Sequence, residues 1–420
     1  MQAKISHARL AVICMMSAAV GLPITFVSLA KLLLVVTGLI YLIKPVSGQK
    51  TQRTFFPKMT VIWILLSILA MAVSITWSSA PSTDTYSSFA KYGKLLLIAL
   101  LPLLIRSRQE GLLALTVFVM VQAFLLLSSW MLFFHLPTPW ATSSMARTQY
   151  AVFSSYLDQG IMSAVLAAVC WHLRPLLLHQ WQQNTAVLVA VSAVVNVLFV
   201  LEGRSGHLVA IALLSMAIMW ALPKKYRLLV ILLPFLIALG VYAGSVKVHE
   251  RANLMISEAS AFGNDTNRAT STGIRLGFWS DAIHIIKEHP WGGTGAGSWS
   301  TQYNQLERAR NAKHVDIAGN GNPHQEYLRW GVQLGVPGLL LFCTLIAALF
   351  RDSFKLERPF KRTSQSVIVA FAVACMFNSS LYDALIGDFF CVLLGLLFAF
   401  KAVQTRRSLH GSDEQLQTIR

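Results

Sequence analysis

The chain has 420 residues, of which 55% are hydrophobic and 13% charged, and a mean hydropathy of +0.57; these values belong to the membrane class and exclude an ordinary soluble enzyme. The formal net charge is +17, but the positive residues are scattered over many short segments rather than gathered into one stripe, which excludes nucleic acid as a partner.

A bilayer-spanning helix takes roughly 20 mainly apolar residues, and about twelve such runs follow one another. They fall at 8–21, 24–43, 59–78, 90–105, 111–134, 153–173, 185–201, 206–222, 227–246, 333–350, 365–381 and 385–402. The chain thus divides into nine spans over 1–246, a polar loop at 247–332, three spans over 333–402 and a tail at 403–420. The second apolar run follows the first almost directly, which favours an uncleaved first span over a signal peptide. An even number of spans puts both termini on one side, and basic residues bias that side towards the cytoplasm. Lys4, Arg9, Lys44, Lys50, Arg53, Lys58, Arg106, Arg108 and Arg174 fall there, as do Lys224, Lys225, Arg227, Arg351, Lys355, Arg358, Lys361, Arg362, Lys401, Arg406, Arg407 and Arg420. That is about 21 of the 35 basic residues, so the termini are expected in the cytoplasm and the long loop on the outer face, in a bacterium the periplasm. Cys14, Cys170, Cys343, Cys375 and Cys391 all lie in apolar runs and read as small buried hydrophobes, with no disulfide framework or cysteine-based zinc site.

A loop as long as 247–332 usually carries function. Its patch "FGNDTNRATSTG" reads as a mobile turn or lid. "IRLGFWSDAIHIIKEHP" sets Phe278, Trp279, Ala282, Ile283 and Ile286 on one helical face, turns Asp281, His284, Lys287 and Glu288 away, and ends at Pro290. Such a helix suits the membrane surface. "WGGTGAGSW" reads as a glycine turn and "STQYNQLERARNAKH" as a second, polar helix. The turn lacks the Lys-Ser/Thr of a nucleotide-binding loop and no nucleotide is expected on the outer face. Trp279, Trp291, Trp299 and Trp330 fit sugar stacking or, more conservatively, an interfacial belt.

The next motif is "NPHQEYL". Asn322 suits an N-cap, Pro323 the first helical position and Gln325 the third position of a capping box, which sets His324 in the first turn. The helix dipole there disfavours imidazolium, and a neutral imidazole is what a general base requires. The structural alternative is a histidine that only makes a loop hydrogen bond. In "LEGRSGHLV" Glu202 and Arg204 stand at the outer boundary of two spans, where charge is expensive and marks function unless the side chain snorkels. Arg275 heads the amphipathic helix, where a guanidinium and helix-terminal amides together attract an anion. A base and two arginines on the outer face suit a lipid-linked pyrophosphate: the arginines stabilise the departing diphosphate and the base takes a proton from an acceptor hydroxyl. No DxD or HExxH occurs, and His284 and His289 are five apart rather than four, so neither metal nor other cofactor is expected. The acidic residues of the loop form no obvious pair, which argues against a two-carboxylate glycosidase.

These segments, "RSGHLV", Arg275-to-Trp279, "GGTGAGSW" and "NPHQEYL" ahead of late spans, resemble the O-antigen ligase and polymerase superfamily, and most of all the O-antigen ligases. The likeness is specific over roughly residues 200–345. It implies an all-α integral membrane protein of GT-C type in the bacterial inner membrane, an inverting, metal-independent glycosyltransferase. The implied donor is undecaprenyl-pyrophosphate-linked O-antigen and the implied acceptor lipid A-core oligosaccharide. Matched residue by residue, the family's essential histidine is His324 and its pyrophosphate-binding arginines are Arg204 and Arg275; Glu202, Trp279, Asn322, Gln325 and Tyr327 stand beside them as supporting residues. "NPHQ" departs from the more usual "NPHN".

An O-antigen polymerase or a protein O-oligosaccharyltransferase would share donor, base and arginines. A transporter or flippase also fits the span count, but it calls for ionisable groups at mid-bilayer, and mid-span charge reads as nearly confined to Lys31.

Overall fold

The computed structural model describes residues 2–43, 57–223, 225–226, 232–244, 246–260, 271–311 and 322–417. Among them the chain is helical, without strands. The first helices are α1 (Gln2–Ala19), α2 (Ile24–Ile43), α3 (Lys58–Val73), α4 (Ser82–Tyr92), α5 (Leu96–Leu104) and α6 (Arg108–Phe133). A short α7 (Ala146–Gln149) leads to α8 (Tyr156–Leu173), α9 (Gln180–Val195), α10 (Arg204–Ala221), α11 (Leu233–Gly244) and α12 (Val246–Ser260). The polar region supplies α13 (Ser271–Glu288) and α14 (Trp299–Arg310), and the chain ends with α15 (Glu326–Ser353), α16 (Arg358–Phe377) and α17 (Ala384–Gln417).

A helix forms at each of the twelve expected spans. Among the described residues, seven stretches are long and apolar enough to cross a membrane: Ile24–Tyr41, Lys58–Trp77, Ser82–Leu104, Arg108–Phe133, Gln180–Val200, Arg204–Ala221 and Glu326–Ser353. His7–Ala19, Leu233–Gly244 and Ala384–Phe400 are shorter apolar helices. The outside of the bundle is greasy: Leu32, Leu69, Met120, Leu127 and Leu188 are each about 60% exposed or more, while Gln122, Gln159 and Asn196 are buried inside. That distribution is what a lipid solvent selects, because a polar group facing hydrocarbon has no partner. The first half of α17 is the most enclosed element, with every residue from Phe389 to Leu394 and from Leu396 to Phe400 buried, and Phe400 stacks on Phe360 at 3.9 Å between centroids.

The feature that most shapes the site is a break in α15. Gly335 takes φ +72 and ψ −160, which splits the helix into 326–334 and 336–353. Pro337 has no N–H for the Gln333 carbonyl, and the Val336 N–H turns to the Pro290 carbonyl at 2.7 Å. The carbonyls so released, Val332 and Gln333, accept from the N–H groups of Thr294 (2.8 Å) and Gly295 (3.0 Å). The glycine turn therefore docks into the break. Gly293, Gly295 and Gly297 all have positive φ. At Gly295 a Cβ would run into the Ser78 backbone, so side-chain-free residues are needed for the close approach as well as for the dihedrals.

Several expectations change. The capping residue of α15 is Gln325, whose side chain accepts from Leu328 N–H at 2.5 Å; Asn322 and Pro323 lie outside the helix, and the last polar run joins α15 seven residues ahead of 333. The amphipathic helix starts a turn earlier than Arg275, at Ser271. Its inner face is Phe278, Asp281, Ala282 and Ile285, with Ile283 exposed. Asp281 is buried because Arg310 on α14 reaches it at 2.6 Å, a partner the helix alone does not reveal. This face packs on Trp299 and Val332. Trp299 and Trp330 are fully buried core residues rather than belt residues, whereas Trp291 is exposed. Cys343 is exposed and Cys14 half-buried. Charge at depth is not confined to Lys31: Lys31 pairs with Asp388 (2.5 Å) and Arg9 with Glu110 (2.5 Å), and Lys94, Glu326 and Arg329 are buried. Most of the "FGNDTNRATSTG" patch, the end of the second polar helix beyond Asn311, and Lys44, Lys50, Arg53, Lys224, Arg227 and Arg420 lie outside the described residues.

Candidate active site

The site forms where α10, α13, the segment before α15 and the turn between α16 and α17 converge. His324 occupies the last non-helical stretch before α15, with φ +54. For a side chain other than glycine that conformation costs on the order of 1 kcal/mol. Asn322 holds it there: its Oδ1 accepts from the His324 N–H at 2.8 Å, and its Nδ2 donates to Asp383 Oδ1 at 3.0 Å. Asn322 is thus a turn former that ties His324 to the α16–α17 turn, not a helix cap.

The His324 imidazole lies parallel to the Phe278 ring, 15° apart at 6.4 Å between centroids. Its Nδ1 is 3.3 Å from Asn378 Oδ1. With that oxygen as acceptor, the ring proton sits on Nδ1 and Nε2 keeps its lone pair. The histidine is held below its ordinary protonation range chiefly by burial; the Arg275 charge acts in the same direction, and Asn378 and Asp383 oppose it. Neutrality therefore comes first from desolvation, where the sequence pointed to the helix dipole.

Arg204 is the first residue of α10, preceded by Gly203, and its Nη1 donates to Thr272 Oγ1 at 2.7 Å. This bond fastens the head of α10 to the first turn of α13, one turn ahead of Arg275. The Arg275 guanidinium is half-buried, and none of the ion pairs among the described residues includes it. Its pKa is lowered by burial first and by the charge of Arg204 second. Two like charges that disfavour each other in a partly dry place are relieved by an anion between them.

The fold brings His324, Arg204, Arg275 and Asn322 into one neighbourhood. Glu202 is half-buried in the short turn before α10. Trp279 packs towards Phe377, beside Asn378, at 6.4 Å between centroids, and its buried indole N–H finds no acceptor among the described residues. Tyr327 belongs elsewhere: its hydroxyl donates to the Ala372 carbonyl at 3.2 Å and its ring packs on Phe342. Gln325 serves as the cap. Asn378 and Asp383 were missed by sequence reasoning, although "NSSLYD" between the last two spans is a polar interruption that charge-at-depth reasoning would have singled out. Asp383 has its pKa raised by burial, against the charges of Arg329, His324, Lys94 and Lys91.

Fold and site together define a multi-pass membrane protein that gathers a neutral histidine and two arginines at the ends of its helices. Residues 186–343 match the family model described as O-antigen ligase, which supports assignment to the O-antigen ligase and polymerase family, whose members are glycosyl-transfer enzymes of O-antigen biosynthesis. The matched stretch contains Arg204, Arg275 and His324; Asn378 and Asp383 lie beyond it. No curated protein sequence matches the chain.

Proposed function

We propose that the protein is an O-antigen ligase. It transfers the glycan from undecaprenyl pyrophosphate to a hydroxyl of lipid A-core oligosaccharide at the periplasmic face of the inner membrane, within a GT-C-type bundle of twelve crossings with cytoplasmic termini. His324 Nε2 takes the proton of the acceptor hydroxyl as its oxygen attacks the anomeric carbon of the donor's proximal sugar. The bond from that carbon to the pyrophosphate oxygen breaks, the lipid pyrophosphate leaves with the electron pair, and the anomeric centre inverts. Arg204 and Arg275 hold the diphosphate and neutralise the charge that grows on it, the role a metal ion plays in other transferases.

The observation that carries this reading is the half-buried imidazole, its Nδ1 3.3 Å from Asn378 Oδ1, in the field of a guanidinium that no ion pair among the described residues engages. A neutral base and an electropositive leaving-group site in one neighbourhood meet both needs of glycosyl transfer from a diphosphate. The test is a reconstituted reaction with purified lipid A-core, lipid-linked donor and EDTA. Wild type is expected to form ligated product and His324→Ala none, while His324→Ala still binds donor. A product in which the lipid-linked glycan is merely lengthened assigns the polymerase reaction instead, and a strict Mg²⁺ requirement overturns the metal-independent mechanism. In a background without the native cysteines, a His324→Cys variant whose thiol is labelled only from the cytosolic side would overturn the proposed topology.

A further inference from the structure

Glu326, the first residue of α15, is a carboxylate with no exposed surface. Burying one is expensive unless donors surround it, and here four do. Oε1 accepts from Trp330 Nε1 at 3.0 Å and from the Tyr92 hydroxyl at 3.4 Å. Oε2 accepts from the backbone N–H groups of Leu381 and Tyr382 at 3.2 and 3.1 Å. Those two amides are the middle of the α16–α17 turn, whose ends are Asn378, facing His324, and Asp383, facing Asn322. Three cationic side chains grip the turn as well. Arg329 lies 3.2 Å and Lys91 3.8 Å from the Tyr382 ring centroid, and Lys94 Nζ donates to the Asp383 carbonyl at 2.7 Å.

These contacts close a ring. His324 reaches Asn378, the turn runs to Leu381 and Tyr382, Glu326 receives them, and two residues of chain lead back to His324. An apolar side chain would fill the space at lower desolvation cost but would not fix the register of the turn. We infer that Glu326 is a positioning residue for the transfer reaction, its carboxylate locking the 378–383 turn so that Asn378 holds the His324 imidazole in the tautomer and orientation that present Nε2. The inference rests on His324 acting as the base.

Glu326→Gln keeps the shape but leaves one acceptor oxygen, which serves either the Leu381 and Tyr382 amides or the Trp330 and Tyr92 donors, not both. The test is a cycle on the full-length purified protein: kcat and KM as functions of pH for wild type, Glu326→Gln, Asn378→Ala and the double variant, with His324→Ala alongside. Both single variants are expected to lower kcat with little change in donor KM and to move the acidic limb of the profile to lower pH. In the double variant the losses should fall short of multiplying by about fivefold or more, the mark of residues acting through one another. Multiplicative losses, or an acidic limb that Glu326→Gln leaves in place, overturn the inference and make Glu326 a packing residue only. If Glu326→Gln does not fold, Tyr92→Phe, which removes one donor to the same carboxylate, enters the cycle in its place; a smaller coupling of the same kind is expected, and independence from Asn378→Ala overturns the inference. Turnover retained by His324→Ala defeats the base assignment itself, whereas a dead His324→Ala with independent Glu326 and Asn378 defeats only the positioning role.

Discussion

The imidazole of His324 and the carboxamide of Asn378 face each other across 3.3 Å, although 54 residues separate them in the chain. The contact selects the ring tautomer, and it pulls the histidine's protonation range up while burial and Arg275 push it down. The two polar neighbours thus act on one proton in opposite senses.

The two senses are separable by experiment. A base must be neutral, so activity should fall as the pH drops through the His324 pKa, which lies below the ordinary 6.5. Asn378→Ala removes a raising contact and should move that acidic limb to lower pH. Arg275→Ala removes a lowering charge and should move it to higher pH. Profiles of kcat/KM against pH check both, and displacement of the limb in the same direction by both variants would contradict the arrangement.

Loss of either arginine should be felt in the chemical step. Arg204→Ala and Arg275→Ala are each expected to lower kcat by about 10²- to 10³-fold, the range seen when a group stabilising developing negative charge is removed. Arg204→Lys should recover part of the loss, since a point charge remains without the planar fork. Steady-state kinetics with saturating acceptor decide the matter; wild-type turnover in both alanine variants removes the anion site.

The glycine turn makes a stability prediction that does not depend on any reaction. Gly295 combines φ +89 with a place so close to Ser78 that an added Cβ would fall 2.3 Å from the Ser78 Cα. Gly295→Ala should destabilise the protein by about 2 kcal/mol or more, seen as a lower Tm in detergent. An unchanged Tm would mean that the turn does not dock against Ser78 as described.

Tyr327 provides a contrast within three residues of the histidine. Its hydroxyl goes to the Ala372 carbonyl rather than to the site. Tyr327→Phe should lower stability by about 1 kcal/mol and leave turnover at the wild-type level. A tenfold loss of kcat in that variant, with Tm preserved, would return Tyr327 to the reaction.

Much of the bundle is legible in the order of residues alone. Apolar runs of membrane length become helices at each of the twelve expected places, because hydrocarbon leaves a backbone few alternatives to internal hydrogen bonding. The glycines of "WGGTGAGSW" announce a turn for the same local reason: their dihedrals suit few other residues. The helix start at "NPHQ" was legible in kind and wrong in place. Asn322 and Gln325 both have capping side chains, and local rules do not say that Asn322 is drawn away to Asp383 while Gln325 takes the cap. The face of α13 was misread at Asp281 because Arg310, which compensates its burial, arrives from another helix.

By itself, then, the sequence determined that this chain lives among lipids, which stretches become its helices though not where each begins and ends, and that one histidine and two arginines are out of keeping with their surroundings. Those are consequences of side-chain polarity and backbone dihedrals, which act over a few neighbours. Only the tertiary structure decided that His324 meets Asn378, that the Arg275 charge bears on the imidazole, and that Glu326 accepts from the amides of the turn that begins at Asn378. These are contacts between distant segments, and their strength depends on burial, which no short window of sequence contains.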